Sequence, residues 1–145
     1  MTLSRVPDAV VIDASVAVPV LRDDPSWAPR MEVWLERGDL LLAPPIFRHE
    51  VANALLRSAR LARDDVLVRI SKLAGLGIEV ADRGWPGLER SIELADRHGL
   101  SLYDASYLEL AIDVDAELAT NDGALRRAAI AEGVALADER ELLGR

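Results

Sequence analysis

Short apolar runs of three or four residues alternate along the whole chain with longer segments of helical periodicity, and this alternation restricts the fold more than any other feature. Val10-Val11-Ile12 reads as a buried strand, and Leu40-Leu41-Leu42-Ala43 reads as a second, stopped by Pro44-Pro45. Ile78-Glu79-Val80, Glu117-Leu118-Ala119-Thr120 and Val134-Ala135-Leu136-Ala137 complete the set. Between them the spacing predicts helices. The first follows Ser15, which is placed to cap it, with Pro19 near its start and Pro25 closing it. Others are predicted over residues 31–37, 46–61, from Asp64-Asp65 to Gly75 and Gly77, 86–98, 101–112 and 123–132, with Gly38, Gly99 and Gly133 as stops. Strands alternating with helices imply βαβ units, so the expected fold is α/β, a mainly parallel central sheet of four or five short strands flanked by helices.

The chain has 145 residues, enough for one domain (1–145) with a sizeable core, and no repeat, low-complexity tract or linker divides it. Half of it is hydrophobic, which argues against disorder. The net charge of −8 argues against a general polyanion binder working by bulk attraction, yet leaves room for a basic lip around an acidic centre. Without cysteine the chain has no disulfide, thiolate nucleophile or zinc–thiolate site, which suits a reducing cytoplasm, the expected location. No leader peptide is visible, and the apolar runs are too short to span a bilayer, so no membrane role is expected.

Parallel sheets bind ligands beyond the carboxyl ends of their strands. Asp13 and Asp122 both fall just past such an end. Glu50 shares a helical stripe with Asn53 and Arg57 at the rim of a buried face, and Asp104 sits in Leu102-Tyr103-Asp104-Ala105-Ser106-Tyr107-Leu108, a segment apolar nearly all round. A buried, unpartnered carboxylate costs several kcal/mol, so such groups are paired or bind a metal. Few cations lie nearby in sequence, and clustered oxygen ligands are what Mg²⁺ or Mn²⁺ prefers. Each residue also has an ordinary reading: Asp13, Asp104 and Asp122 as helix caps, Glu50 as a solvated rim residue. Jointly the four are harder to explain that way. Ser15, Asn53 and Thr120 are candidates to orient ligands or waters, with a plain N-cap as the alternative for Ser15. Arg126 and Arg127 follow Asp122 closely and either touch phosphate or are solvated helix arginines. His49 and His98 read as structural, and Trp27, Trp34 and Trp85 as packing residues, since they do not interleave with basic residues.

Four short motifs then occur in order: Val11-Ile12-Asp13-Ala14-Ser15, Glu50-Val51-Ala52-Asn53-Ala54-Leu55, Leu102-Tyr103-Asp104-Ala105-Ser106-Tyr107 and Leu118-Ala119-Thr120-Asn121-Asp122. Together they resemble the PIN-domain proteins of the VapC toxin type, over nearly the whole chain. The resemblance implies a three-layer PIN-like fold and a Mg²⁺- or Mn²⁺-dependent endoribonuclease. It implies the toxin of a type II toxin–antitoxin pair, usually a homodimer, neutralised by a cognate VapB-type antitoxin and acting on tRNA or rRNA. Asp13, Glu50, Asp104 and Asp122 carry over as its catalytic and metal-binding quartet, and the family's two hydroxyls fall on Ser15 and Thr120. Two competing readings stay open. One is a catalytically silent RNA- or protein-binding module. The other is an Asp-based phosphotransferase with Asp13 as nucleophile, which Ser15 disfavours by standing where a second Asp is usual.

Overall fold

Val10, Val11 and Ile12 have no solvent exposure, and the strand they form, β1 (Ala9–Ile12), lies inside the sheet. The structure is a computed structural model that describes residues 8–137. Along the chain follow α1 (Ala14–Leu21), α2 (Ala28–Arg37), β2 (Leu40–Ala43), α3 (Phe47–Asn53), a π-helical turn (Ala54–Ser58) and α4 (Arg63–Gly75). Then come β3 (Glu79–Val80), α5 (Gly84–His98), α6 (Leu102–Asp113), β4 (Glu117–Ala119) and α7 (Gly123–Ala131). The sheet is parallel in the order β3-β2-β1-β4, with Val11 opposite Leu42 on one side and Leu118 on the other. Runs apolar at every position suit this arrangement, because helices cover both faces of a parallel sheet. Helix α6 packs on β1 and β4 and against α5 and α7, while α1 packs with α3 and α4. Gly38 and Gly99 stop α2 and α5 with φ of 70° and 65°, a left-handed geometry that a side chain disfavours.

Three expectations need correction. Residues 46–61 do not form one helix: after Asn53 the ladder widens to i→i−5, as in Ala59 N–H to the Ala54 carbonyl at 2.9 Å, and Arg60 turns out at φ 54°. A buried Leu55 is kept in the core while the chain is redirected toward α4, a role that π turns can serve and periodicity cannot forecast. Ser15 does not cap α1; the N-cap position belongs to Asp13, and Ser15 lies within the helix. Residues 134–137 do not form a strand; they contribute a single parallel bridge, Leu118 to Leu136, so the sheet has four strands among the described residues. Among those residues no helix is long and apolar enough to cross a membrane.

Candidate active site

The strand order reverses beside β1: β2 and β3 build to one side, and β4 returns to the other. Open α/β sheets bind ligands in the crevice at such a switch point, past the carboxyl ends of the strands. The chain leaves β1 at Asp13 and β4 at Thr120-Asn121-Asp122, so both ends open into one crevice. The N-termini of α1 and α7 start there, and the first turns of α3 and α6 add Glu50 and Asp104. Positive ends of helix dipoles favour negative charge, which helps four carboxylates share the region.

Asp13 and Asp122 occupy N-cap positions, yet neither side chain makes a capping hydrogen bond. For Asp104 the cap is Ser101, whose hydroxyl accepts from the Asp104 N–H at 3.0 Å. The plain capping reading therefore accounts for none of these three carboxylates. Asp13 is buried, and its Oδ2 accepts from both Ser15 Oγ and Thr120 Oγ1 at 2.7 Å. Each hydroxyl has one proton, and each has donated it. Their lone pairs then accept backbone N–H groups, Asn121 to Ser15 at 2.9 Å and Asp122 to Thr120 at 3.0 Å. Glu50 is half-buried, and its Oε1 accepts from the Tyr107 hydroxyl at 2.6 Å. Asn53 lies exposed, one turn beyond Glu50, and makes no hydrogen bond to any of the four acids.

The proton affinities tie these groups together. Burial raises the Asp13 carboxyl, against the two hydroxyls that lower it, and the charge of Asp122 raises it further. Burial likewise raises Glu50, opposed by the Tyr107 hydroxyl and reinforced by Asp13. Asp104 is pushed up to about 6, first by burial, then by the charges of Asp122 and Asp13 and by a hydrogen bond with Asp122; Glu50 adds to the push. Tyr107 is raised by burial and by donating to Glu50, so its hydroxyl stays a donor at neutral pH. Among the described residues no cation forms an ion pair with any of the four. Nor do three or more His, Asp or Glu side chains there make a ready-made ligand cage.

Arg126 Nη1 donates to the Thr120 carbonyl at 3.1 Å, bracing the loop, while the Arg127 guanidinium lies over the start of α7, near Gly123. His49 is exposed, and His98 bonds Glu132 at 2.6 Å and none of the four acids. Trp27 and Trp34 are buried and Trp85 is exposed. An apolar cavity of about 230 Å³ opens between α3 and α4, lined by Phe47, Ala52, Ile70 and Leu73, and contains none of the four acids. Sequence reasoning missed Tyr107, although its spacing of three from Asp104 on α6 places both on adjoining positions of one face. It also missed Asn121, for which local spacing carries no signal.

A family model described as PIN domain matches residues 10–131. Compared by sequence with curated proteins, the chain matches none. Among solved structures it is similar to PAE2754 from Pyrobaculum aerophilum, with a TM-score of 0.64, 24% identity and 91% of each chain covered. It is similar to VapC20 of Mycobacterium tuberculosis, described as a toxin cleaving the sarcin–ricin loop, with TM-score 0.66 and 14% identity over 82% of this chain and 94% of that one. It is also similar to VapBC2 from Rickettsia felis, solved with a promoter DNA fragment, with TM-score 0.69 and 17% identity over 88% and 96%. At these identities the likeness is one of fold.

Proposed function

The chain belongs to the PIN domain family, and from that membership we propose that it is a divalent-metal-dependent endoribonuclease acting as the toxin of a type II toxin–antitoxin pair. The observation that carries this reading is the meeting of Asp13, Glu50, Asp104 and Asp122, from four separate segments, at the sheet's switch point, with Asp104 raised to about 6 by burial and by its acidic neighbours. Hard oxygen donors grouped without a cationic partner among the described residues fit Mg²⁺ or Mn²⁺ by their chemistry. Asp13, Glu50 and Asp104 would hold the ion directly or through water, with Asp122 completing the set. When bound, such an ion supplies Lewis acidity at a phosphate oxygen and a water of lowered pKa.

The chain's own residues do the rest. Ser15 and Thr120 aim Asp13 by giving it both their protons. Tyr107 orients Glu50. Asp104, raised to about 6 in the metal-free chain, would give up its proton on binding the ion, so ion affinity should rise with pH. The substrate in this reading is RNA, with tRNA or rRNA first among candidates, and the protein is a cytoplasmic homodimer held in check by a VapB-type antitoxin. The toxin and the toxin–antitoxin complex among its structural neighbours support that assignment. The phosphotransferase reading loses ground, because Ser15 is committed to Asp13 and no second carboxylate stands in its place.

One observation favours a silent binding module instead: the absence of a preformed ligand cage among the described residues. The two readings separate in one experiment. Purified, antitoxin-free protein is incubated with total bacterial RNA in Mg²⁺ or Mn²⁺, in EDTA, and as Asp104→Asn, with new ends mapped by sequencing. Discrete cuts that vanish with EDTA and in the variant are expected. Cuts that persist in both would overturn the metal-site assignment, and no cuts under any metal would favour the binding module.

A further inference from the structure

Trp27 lies in the connection between α1 and α2, far in sequence from β4, and is buried at 3% exposure. A buried indole N–H needs an acceptor. It finds Asn121 Oδ1 at 3.1 Å. The same amide donates its Nδ2 to the Ser15 carbonyl at 2.8 Å, so its orientation is determined, because only the oxygen can accept from an indole. Asn121 also donates its backbone N–H to Ser15 Oγ at 2.9 Å. Asn121 therefore grips Ser15 at two points while its own side chain is held from beneath. Ser15 in turn donates to Asp13, and Asn121 stands between Thr120, which also donates to Asp13, and Asp122. The indole is confined as well: Trp34 lies 6.2 Å away between ring centroids, and the Arg30 guanidinium sits 5.0 Å from the Trp27 ring centre.

We infer that Trp27 is a positioning residue for the acidic site: its indole N–H anchors Asn121, and through Asn121 sets Ser15, Thr120 and Asp122 in register with Asp13. An exposed polar side chain such as Asn121 ordinarily samples several rotamers. Here a bond from the core restricts it, and the restriction passes to the carboxylates on either side. Asn121 is exposed, so losing the indole N–H leaves no buried acceptor unpaired and costs little global stability. The effect falls on the local order of the loop and on the carboxylates. The metal-binding consequence rests on the function proposed above, whereas the anchoring does not.

The test uses the full chain as Trp27→Phe, which keeps a ring and removes the donor, and as Asn121→Ala, which removes the acceptor and leaves Trp27 in place. Amide hydrogen exchange is followed at positions 121 and 122 in metal-free protein, with β1 and β4 amides as internal reference. Mn²⁺ affinity is measured separately from the free-ion resonance signal. Relative to the β1 and β4 amides, Trp27→Phe should speed exchange at 121 and 122 by about fivefold, as loss of one hydrogen bond predicts, and Asn121→Ala by more, because it also loses the bond to the Ser15 carbonyl; Mn²⁺ binding should weaken in the same order. Combining them should add nothing to Asn121→Ala alone, because the link that Trp27→Phe breaks is then already gone. Unchanged exchange in either variant, effects that add in the double variant, or loosened amides with unaltered Mn²⁺ affinity would each overturn the inference. If wild type binds no Mn²⁺ but exchange still rises, the metal reading fails and the anchor stands.

Discussion

At Asp104 burial and neighbouring charge both oppose ionisation. Its carboxyl is raised to about 6 by burial and by the charges around it, so the folded chain holds that proton more tightly than the unfolded chain does. Between roughly pH 4 and 6 the native state binds the extra proton, and the stability due to this group is lost as pH rises through that window. Asp13 and Glu50, also raised, act in the same direction. Asp104→Asn removes the penalty. In EDTA at pH 7 the variant should therefore be more stable than wild type by about 1 kcal/mol, allowing for solvent screening at a half-buried site. The difference should shrink toward zero near pH 4. Thermal unfolding at the two pH values measures it, and a variant no more stable than wild type at pH 7 would contradict the assigned repulsion. The residue scale also marks the limit of reading by type: Ser15 and Thr120 are legible as hydroxyls near acids, but only the folded chain sends both protons to Oδ2 of one residue.

At the element scale, helix ends were more readable than helix continuity. Glycine stops at Gly38 and Gly99 follow from the backbone's local preferences, whereas the π turn at Ala54–Ser58 answers to the packing of Leu55, which no local spacing encodes. The α5–α6 contact is set by a missing side chain. A Cβ at Gly87 would stand 2.3 Å from Arg83 Cβ and 2.9 Å from Glu109 Oε1. Glu109 is buried and reaches Arg90 at 3.4 Å; Arg90 and Arg83 both meet Asp113. Gly87→Ala should thus destabilise by about 1–3 kcal/mol through overpacking, despite alanine's better helix propensity. Urea unfolding decides the sign, and a stabilised variant would mean that α5 and α6 separate freely. Because α6 carries both Asp104 and Tyr107, the same variant links this packing to the site.

For the whole molecule, the strand order β3-β2-β1-β4 brings acids scattered in sequence toward one crevice. It sets Thr120 beside Asp13 across 107 positions of sequence. A ligand that binds only this assembled arrangement stabilises the fold by mass action, about 2.7 kcal/mol at a hundredfold excess over Kd. Mg²⁺ or Mn²⁺ should accordingly raise the unfolding midpoint of wild type at pH 7.5 and leave that of Asp104→Asn nearly unmoved. Equal shifts in both proteins would place the ion elsewhere.

By itself the sequence determined the alternation of strands and helices, the parallel character of the sheet, the glycine stops, and the placement of two acids, Asp13 and Asp122, just past strand ends. These properties are local: they follow from periodicity, backbone preference and the cost of burying charge, each expressed within a few residues. Only the tertiary structure decided that β4 returns to the far side of β1, that two N-cap acids leave their caps unmade, that Tyr107 serves Glu50, and that Trp27 reaches Asn121. Those contacts join residues tens of positions apart, and their partners are chosen by the competition to fill one core, which no short stretch of sequence contains.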